Sequence, residues 1–143
     1  MMTDPDSTAQ NLPFRMHRTT MALRVAMSHE LTAAFGEDFT VDYWQALKTL
    51  CTQGRMSPAS LARTLHRDRA SMLRTLGCME RMGLVSRIRG GRSHIVEPTP
   101  MGHDFMPKAD RAVQQALGGL EKLLNPFEIN EMSRILDSIF HKY

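Results

Sequence analysis

Apolar residues recur along most of this chain at three- and four-residue spacing, the period of helices with a buried face. The first such stretch runs from Leu12 to Phe35 and is apolar on two sides. Phe14, Met21 and Val25 lie on one side, and Met16, Leu23, Met27 and Leu31 on the other. A helix apolar on two sides has to be covered twice, by its own domain and by something else. Trp44, Leu47 and Leu50 or Cys51 form the stripe of a second helix, which starts after Thr40 and ends near Gly54. Ser57 to Leu65 reads as a short third helix, and Asp68 to Met82 as a fourth, stopped by Gly83. A long helix is expected from Met101 to Leu124, kinked at Pro107. The last runs from Pro126 to His141, with Phe127, Met132, Ile135, Leu136 and Ile139 in phase.

Three of these helices share a starting signal: Ser57-Pro58, Thr99-Pro100 and Asn125-Pro126. In each, a side-chain oxygen can cap free backbone N–H groups, and proline takes the first helical position, where its missing donor costs nothing. Glu128, three residues after Asn125, completes the pattern of a capping box. Thr40 and Asp68 are two further caps.

One stretch departs from the helical period. Val85 to Val96 reads VSRIRGGRSHIV, two short runs around Gly90-Gly91. A Gly-Gly loop supplies the positive φ angles of a tight hairpin. Closed there, the hairpin pairs Arg89 with Arg92, Arg87 with His94 and Val85 with Val96. Like charges directly opposite one another are unfavourable; an anion between them relieves the cost.

Charge sharpens this picture. Arg55 to Arg92 holds nine arginines and no lysine against two acids, Asp68 and Glu80, a formal +7 where the rest of the chain sums to −4. A basic block this dense inside a foldable sequence fits a surface that neutralises phosphates. Arginine suits that task because its planar fork binds a phosphate or a guanine edge with two hydrogen bonds. The other totals bound the class. At 143 residues, 42% hydrophobic and 23% charged, the chain is expected to be one soluble domain. No apolar run approaches the roughly 18 residues of a membrane span. Residues 1–11 are polar and acidic, and read as a disordered lead rather than a signal peptide. Cys51 and Cys78 form no CxxC pair, which points to a reducing cytoplasm.

Two helices joined by the short turn His66-Arg67 and followed at once by a basic hairpin make a winged helix-turn-helix. The second helix of such a pair enters the major groove with its N-terminal residues at the bases. Met72, Leu76 and Met79 recur as one buried stripe. Arg69, Ala70, Ser71 and Arg74 are left outward, with Leu73 at the margin. Arg74 is the candidate for a bidentate guanine contact, and Ser71 for a hydrogen bond to a base or phosphate. The candidate DNA contacts are Ser57, Ser60, His66, Arg67, Arg69, Ser71, Arg74, Arg87, Arg89 and Arg92. Gly77, in mid-helix, costs about 1 kcal/mol relative to alanine, and the sequence supplies no reason for it.

From about Leu12 to the C-terminus the order of elements resembles the MarR family of bacterial transcription regulators. The residues that carry the resemblance are FTVDYWQALKTL, SPASLARTLHRDRASMLRTLGCMERMGLVSR, the wing with TPMGHDF, and LNPFEINEMSRIL. It implies a mainly α fold with a small β-hairpin wing. The winged helix-turn-helix part spans residues 39–98 of a single domain over 12–143, flanked by dimerisation helices at 12–35 and 101–143. It implies a cytoplasmic homodimer on a palindromic double-stranded operator, a repressor released by a small aromatic acid or phenol bound between the dimerisation helices and the winged domain. Arg15, His17, Arg18, Tyr43 and Trp44 are the candidates for that ligand. The wing departs from the family pattern: Gly90 stands where an aspartate is usual two residues before the tip arginine, Arg92, and the hairpin is about three residues short. Arg92 is therefore expected to reach a phosphate rather than the floor of the minor groove.

The competing readings are an interaction module that binds nucleic acid or acidic proteins without sequence preference, and a regulator controlled by oxidation of Cys78 or Cys51. His17, His29, Cys51 and His103 lack metal-ligand spacing. No phosphate loop, nucleophile elbow or paired-carboxylate motif points to an enzyme, and no cofactor is expected.

Overall fold

The computed structural model describes residues 5–90 and 93–143. The chain is mainly α-helical, with one antiparallel hairpin. Its elements are α1 (Pro5–Phe35), α2 (Val41–Gln53), α3 (Pro58–Thr64), α4 (Arg69–Arg81), β1 (Val85–Gly90), β2 (Ser93–Pro98), α5 (Pro100–Leu117), α6 (Leu120–Leu123) and α7 (Pro126–Lys142).

The caps fall where the sequence places them. Ser57, Asp68, Thr99 and Asn125 each accept a hydrogen bond from the backbone N–H three residues on. Asn125 and Glu128 exchange reciprocal bonds of 2.9 Å. A cap of this kind is worth about 1 kcal/mol.

Three boundaries differ from expectation. The polar lead is helical from Pro5 onward, because proline's fixed φ suits the first turn of a helix. The helix then continues through Pro13, which has no N–H to give the carbonyl four residues back. Pro107 lies inside α5, whereas the interruption comes at Gly118 and Gly119, between α5 and α6; two successive glycines carry the largest backbone entropy cost. The hairpin register is also shifted. Arg87 pairs with Val96, Ile88 with Ile95, Arg89 with His94 and Gly90 with Ser93. The expected pairing of Arg87 with His94 is thereby replaced by one that sets two isoleucines opposite each other, which favours this register. Arg89 therefore stands opposite His94 rather than the expected Arg92, and Val85 opposite Pro98 rather than the expected Val96.

The core is built from the C-terminal half of α1, from α2 to α4, from the hairpin and from α5. Leu31, Leu47, Leu61, Met72, Leu76, Met79 and Val96 are fully buried. Phe35, Phe39 and Phe105 form an aromatic cluster, with ring centroids 4.7–5.7 Å apart, that joins α1, the loop before α2, and α5. No residue of α6 or α7 is buried. The apolar residues Phe127, Ile135, Leu136 and Phe140 of α7 and Phe14, Met21 and Val25 of α1 stay exposed, Phe127 by 73% and Val25 by 70%.

α4, the hairpin and α5 meet at one junction. Gly83, in the left-handed region at φ +78°, ends the turn after α4, and the Leu84 amide donates back to the Met79 carbonyl at 3.0 Å. Thr99 N–H donates to the Leu84 carbonyl at 3.0 Å, and the Thr99 hydroxyl donates to the Gly83 carbonyl at 2.5 Å while accepting the Gly102 N–H at 3.0 Å. A Cβ on Gly102 would collide with the Leu84 carbonyl oxygen and stand 3.3 Å from Leu47 Cδ1. Gly102→Ala is therefore expected to lower stability by about 1–3 kcal/mol through overpacking, even though alanine is the better helix former by about 1 kcal/mol. A urea midpoint equal to or above that of the unsubstituted chain would contradict this close approach.

Candidate nucleic-acid interface

Ser57 opens α3 by accepting the Ser60 N–H at 3.1 Å, and its hydroxyl donates to Ser60 Oγ at 3.0 Å. Arg63 Nη2 donates to the same Ser60 oxygen at 3.1 Å. Both serines thus sit at the start of α3 in a local network, and Arg63, which sequence reasoning did not single out, joins them. Its only signal was membership of the basic block. Between α3 and α4 the chain turns through His66, whose φ of +52° is in the left-handed region, a conformation that histidine adopts more readily than most side chains. His66 is exposed, with its ring edge-on to Phe140 of α7 at 5.7 Å.

Asp68 caps α4 through the Ser71 N–H at 2.8 Å. Met72, Thr75, Leu76 and Met79 are buried, so the expected stripe holds with Thr75 added. Arg69, Ala70, Leu73 and Arg74 face outward and are exposed. This gives α4 an exposed first turn and a half with two arginines, on a helix whose opposite face is anchored in the core.

Two arginines taken as DNA contacts point inward instead. The Arg67 side chain is only 18% exposed; its Nη2 donates to Ser71 Oγ at 2.6 Å and its Nη1 lies 3.7 Å from Asp42 Oδ1. Arg87 folds back onto α4, with Nε 2.9 Å from Glu80 Oε2. Both use their charge on nearby acids inside the protein, which the sequence could not show because the partners come from other elements. Ser71 is half-buried for the same reason. Gly77 now has a setting: a Cβ there would meet Arg81 Nη1 at 3.7 Å and Arg87 Nη2 at 3.9 Å, ordinary contact that alanine would tolerate. Leu73, Arg74, Gly77, Cys78, Arg81 and Arg87 line a shallow cavity of about 500 Å³ along this face. Arg81 is exposed there, a second member of the surface missed in sequence. Arg89 stands opposite His94 near the end of the hairpin, and Arg92 lies outside the described residues.

The family model described as MarR family matches residues 39–91. Residues 39–91 therefore carry the sequence pattern of the MarR family. Solved structures extend the likeness to the fold of the whole chain. A transcriptional regulator (MarR family) from Rhodococcus sp. RHA1 superposes with a TM-score of 0.84 at 20% identity, covering 94% of this chain and 96% of its own. CouR from Rhodococcus jostii RHA1, bound to p-coumaroyl-CoA, gives 0.80 at 21% identity, with 92% and 93% covered. A mutant MarR from E. coli complexed with operator DNA gives 0.76 at 18% identity, with 96% and 99% covered. No curated protein matches the chain.

The residues expected to hold a ligand lie in two groups. Arg15, His17 and Arg18 are exposed on α1, with Arg18 stacked 5.8 Å over Phe14. Tyr43 and Trp44 lie on α2, within the residues that match the MarR family model. Trp44 Nε1 donates to Asp110 Oδ1 at 3.0 Å, and Lys48 Nζ meets Asp110 Oδ2 at 2.6 Å, so the indole N–H ties α2 to α5. Among the described residues no hydrogen bond, ion pair or ring contact joins the two groups. Tyr43 lines a cavity of about 290 Å³ with Asp38, Cys78, Arg81 and Met82. Its phenol is held above the ordinary value, first by its hydrogen bond to Cys78 and then by burial.

The two thiols differ in setting. Arg81 Nη2 approaches Cys78 Sγ at 3.1 Å. Burial, followed by the charge of Asp110, pushes the Cys51 thiol up, with Lys48 opposing. A raised value leaves less thiolate at any given pH, and thiolate is the reactive form. In a Cys78→Ser variant, alkylation of Cys51 by iodoacetamide at about pH 8 should be slower than that of free cysteine and should rise only above the ordinary thiol range near 8.5. Alkylation as fast as free cysteine would contradict the buried setting.

Proposed function

We propose that this chain is a cytoplasmic, homodimeric, sequence-specific DNA-binding transcription regulator of the MarR type, a repressor relieved by a small aromatic acid or phenol. The observation that carries the reading is α4: its buried stripe locks it to the core while Arg69, Ala70, Leu73 and Arg74 stand exposed together on the opposite side. A helix in that attitude presents its first turns to a major groove, and Arg74 is placed for a guanine edge. Residues 39–98 act as the DNA-binding part. The helices over 12–35 and 101–143 act as the dimerisation part, which accounts for the apolar groove of about 720 Å³ between Leu12, Met16, Ile135 and Ile139. A structural neighbour bound to operator DNA and another bound to p-coumaroyl-CoA support the two halves of the reading, DNA and aryl ligand. Arg15, His17 and Arg18 supply cationic surface for such an anion. Tyr43 and Trp44 supply aromatic faces, the Trp44 N–H being already taken by Asp110.

The test is titration against a palindromic duplex recovered by selection from random sequences, beside a scrambled control. Preference for the selected duplex should reach about 10³, with a salt dependence that corresponds to roughly 6–10 phosphate contacts. Arg74→Ala should cost about 1–3 kcal/mol and relax the choice at one position, whereas Arg89→Ala should weaken all duplexes alike and lower the salt slope by about 1. Equal affinity for both duplexes would make the chain a non-specific module, and even weakening of every sequence by both substitutions would make Arg74 a phosphate contact.

A further inference from the structure

Asp42 of α2 stands between two guanidinium groups from different parts of the fold. Its Oδ1 is 3.0 Å from Arg24 Nη2 of α1 and 3.7 Å from Arg67 Nη1 of the turn before α4. The other arm of Arg67 donates to Ser71 Oγ at 2.6 Å. Arg67 Nη1 is itself buried without a hydrogen-bond partner, so the Asp42 carboxylate is the charge that holds it in place. Moving Arg67 outward to a phosphate would leave Asp42 to Arg24 alone and release Ser71.

Ser71 is in turn constrained at both of its polar groups. Its N–H is given to the Asp68 cap at 2.8 Å. Its side-chain oxygen uses one lone pair on Arg67, which leaves the hydroxyl proton and one further lone pair. A hydroxyl that already accepts from a cationic donor is polarised toward donating, to an acceptor such as a purine N7, guanine O6, thymine O4 or a phosphate oxygen, in preference to accepting from the amino groups of adenine or cytosine.

We propose that Arg24, Asp42 and Arg67 form a polar strut from α1 to the recognition helix, in which Arg67 is a positioning residue that fixes Ser71 as a hydrogen-bond donor toward DNA. The DNA-facing role rests on the function proposed above; the strut itself does not. Through it, the attitude of α1 bears on the first turn of α4.

Two measurements test it. In the free protein, amide hydrogen exchange of residues 66–72 is read in Arg24→Met, a substitution on a different helix from the segment observed. Exchange at Ser71 and Met72 should accelerate by about 5-fold or more, and Arg24→Lys, which keeps the cation, should restore protection. Unchanged exchange in Arg24→Met overturns the strut. With the selected duplex, Arg67→Met and Ser71→Ala should each weaken binding by about 5–150-fold at an unchanged salt slope, and the double variant should be no weaker than the worse single one. A salt slope lower by about 1 in Arg67→Met marks a direct phosphate contact, and additive losses mark independent residues; either overturns the positioning role. Arg67→Lys replaces Arg67→Met in this comparison if the latter does not fold. A wild-type chain with no preferred duplex would refute the DNA reading, and the exchange experiment would still decide the strut.

Discussion

The carbonyl of Leu84 accepts the Thr99 amide and lies directly against Gly102, so the end of α4, the start of β1 and the first turn of α5 are joined within a few ångströms. Interiors are packed too densely for such a joint to bend by small increments. The attitude of α4 therefore follows that of α5, and α5 is in turn tied to α1 through Phe35, Phe39 and Phe105, and to α2 through Asp110. The other end of α4 is held by side chains rather than by backbone: the Asp68 cap and Arg67, which Asp42 braces. With both ends held in this way, α4 is coupled to the long helices. That is the property a dimer needs if the separation of its two reading helices is to match an operator.

The basic block divides by where its arginines spend their charge. Arg67 and Arg87 are drawn inward by Asp42 and Glu80, while Arg69, Arg74 and Arg81 remain exposed. Both pairs are only partly buried, and a pair of that kind is weak evidence for stability. Their larger effect is orientation, since they settle which cations are left for phosphates and bases. Net charge alone overstates the DNA-facing surface for that reason.

Most of the winged domain can be read in sequence because its decisive signals are local. Ser57, Asp68, Thr99 and Asn125 declare helix starts within three residues of themselves, and Met72, Leu76 and Met79 declare the buried face of α4. What escapes is set by partners distant in the chain. The inward turn of Arg67 depends on Asp42, and that of Arg87 on Glu80 of the preceding helix. The hairpin register depends on Ile88 meeting Ile95, which the adjacent glycines obscured by offering a second closing point. Gly102 looks like an ordinary helix glycine until the Leu84 carbonyl is placed against it. The helical run through Pro13 ran against the usual reading of proline as a boundary.

One face of the chain remains without a covering partner: the apolar side of α7 and the outer side of α1, where Phe127, Val25 and Phe14 are each more than half exposed. Exposed apolar faces of this kind are what the proposed homodimer would cover, each copy supplying the other's complement. Sedimentation equilibrium, with the protein alone and with its selected palindromic duplex, measures this directly. The account predicts a particle of twice the 16.2 kDa chain mass at micromolar concentration without DNA, and two chains on each duplex with it. A single-chain mass, or one chain per duplex, would contradict it.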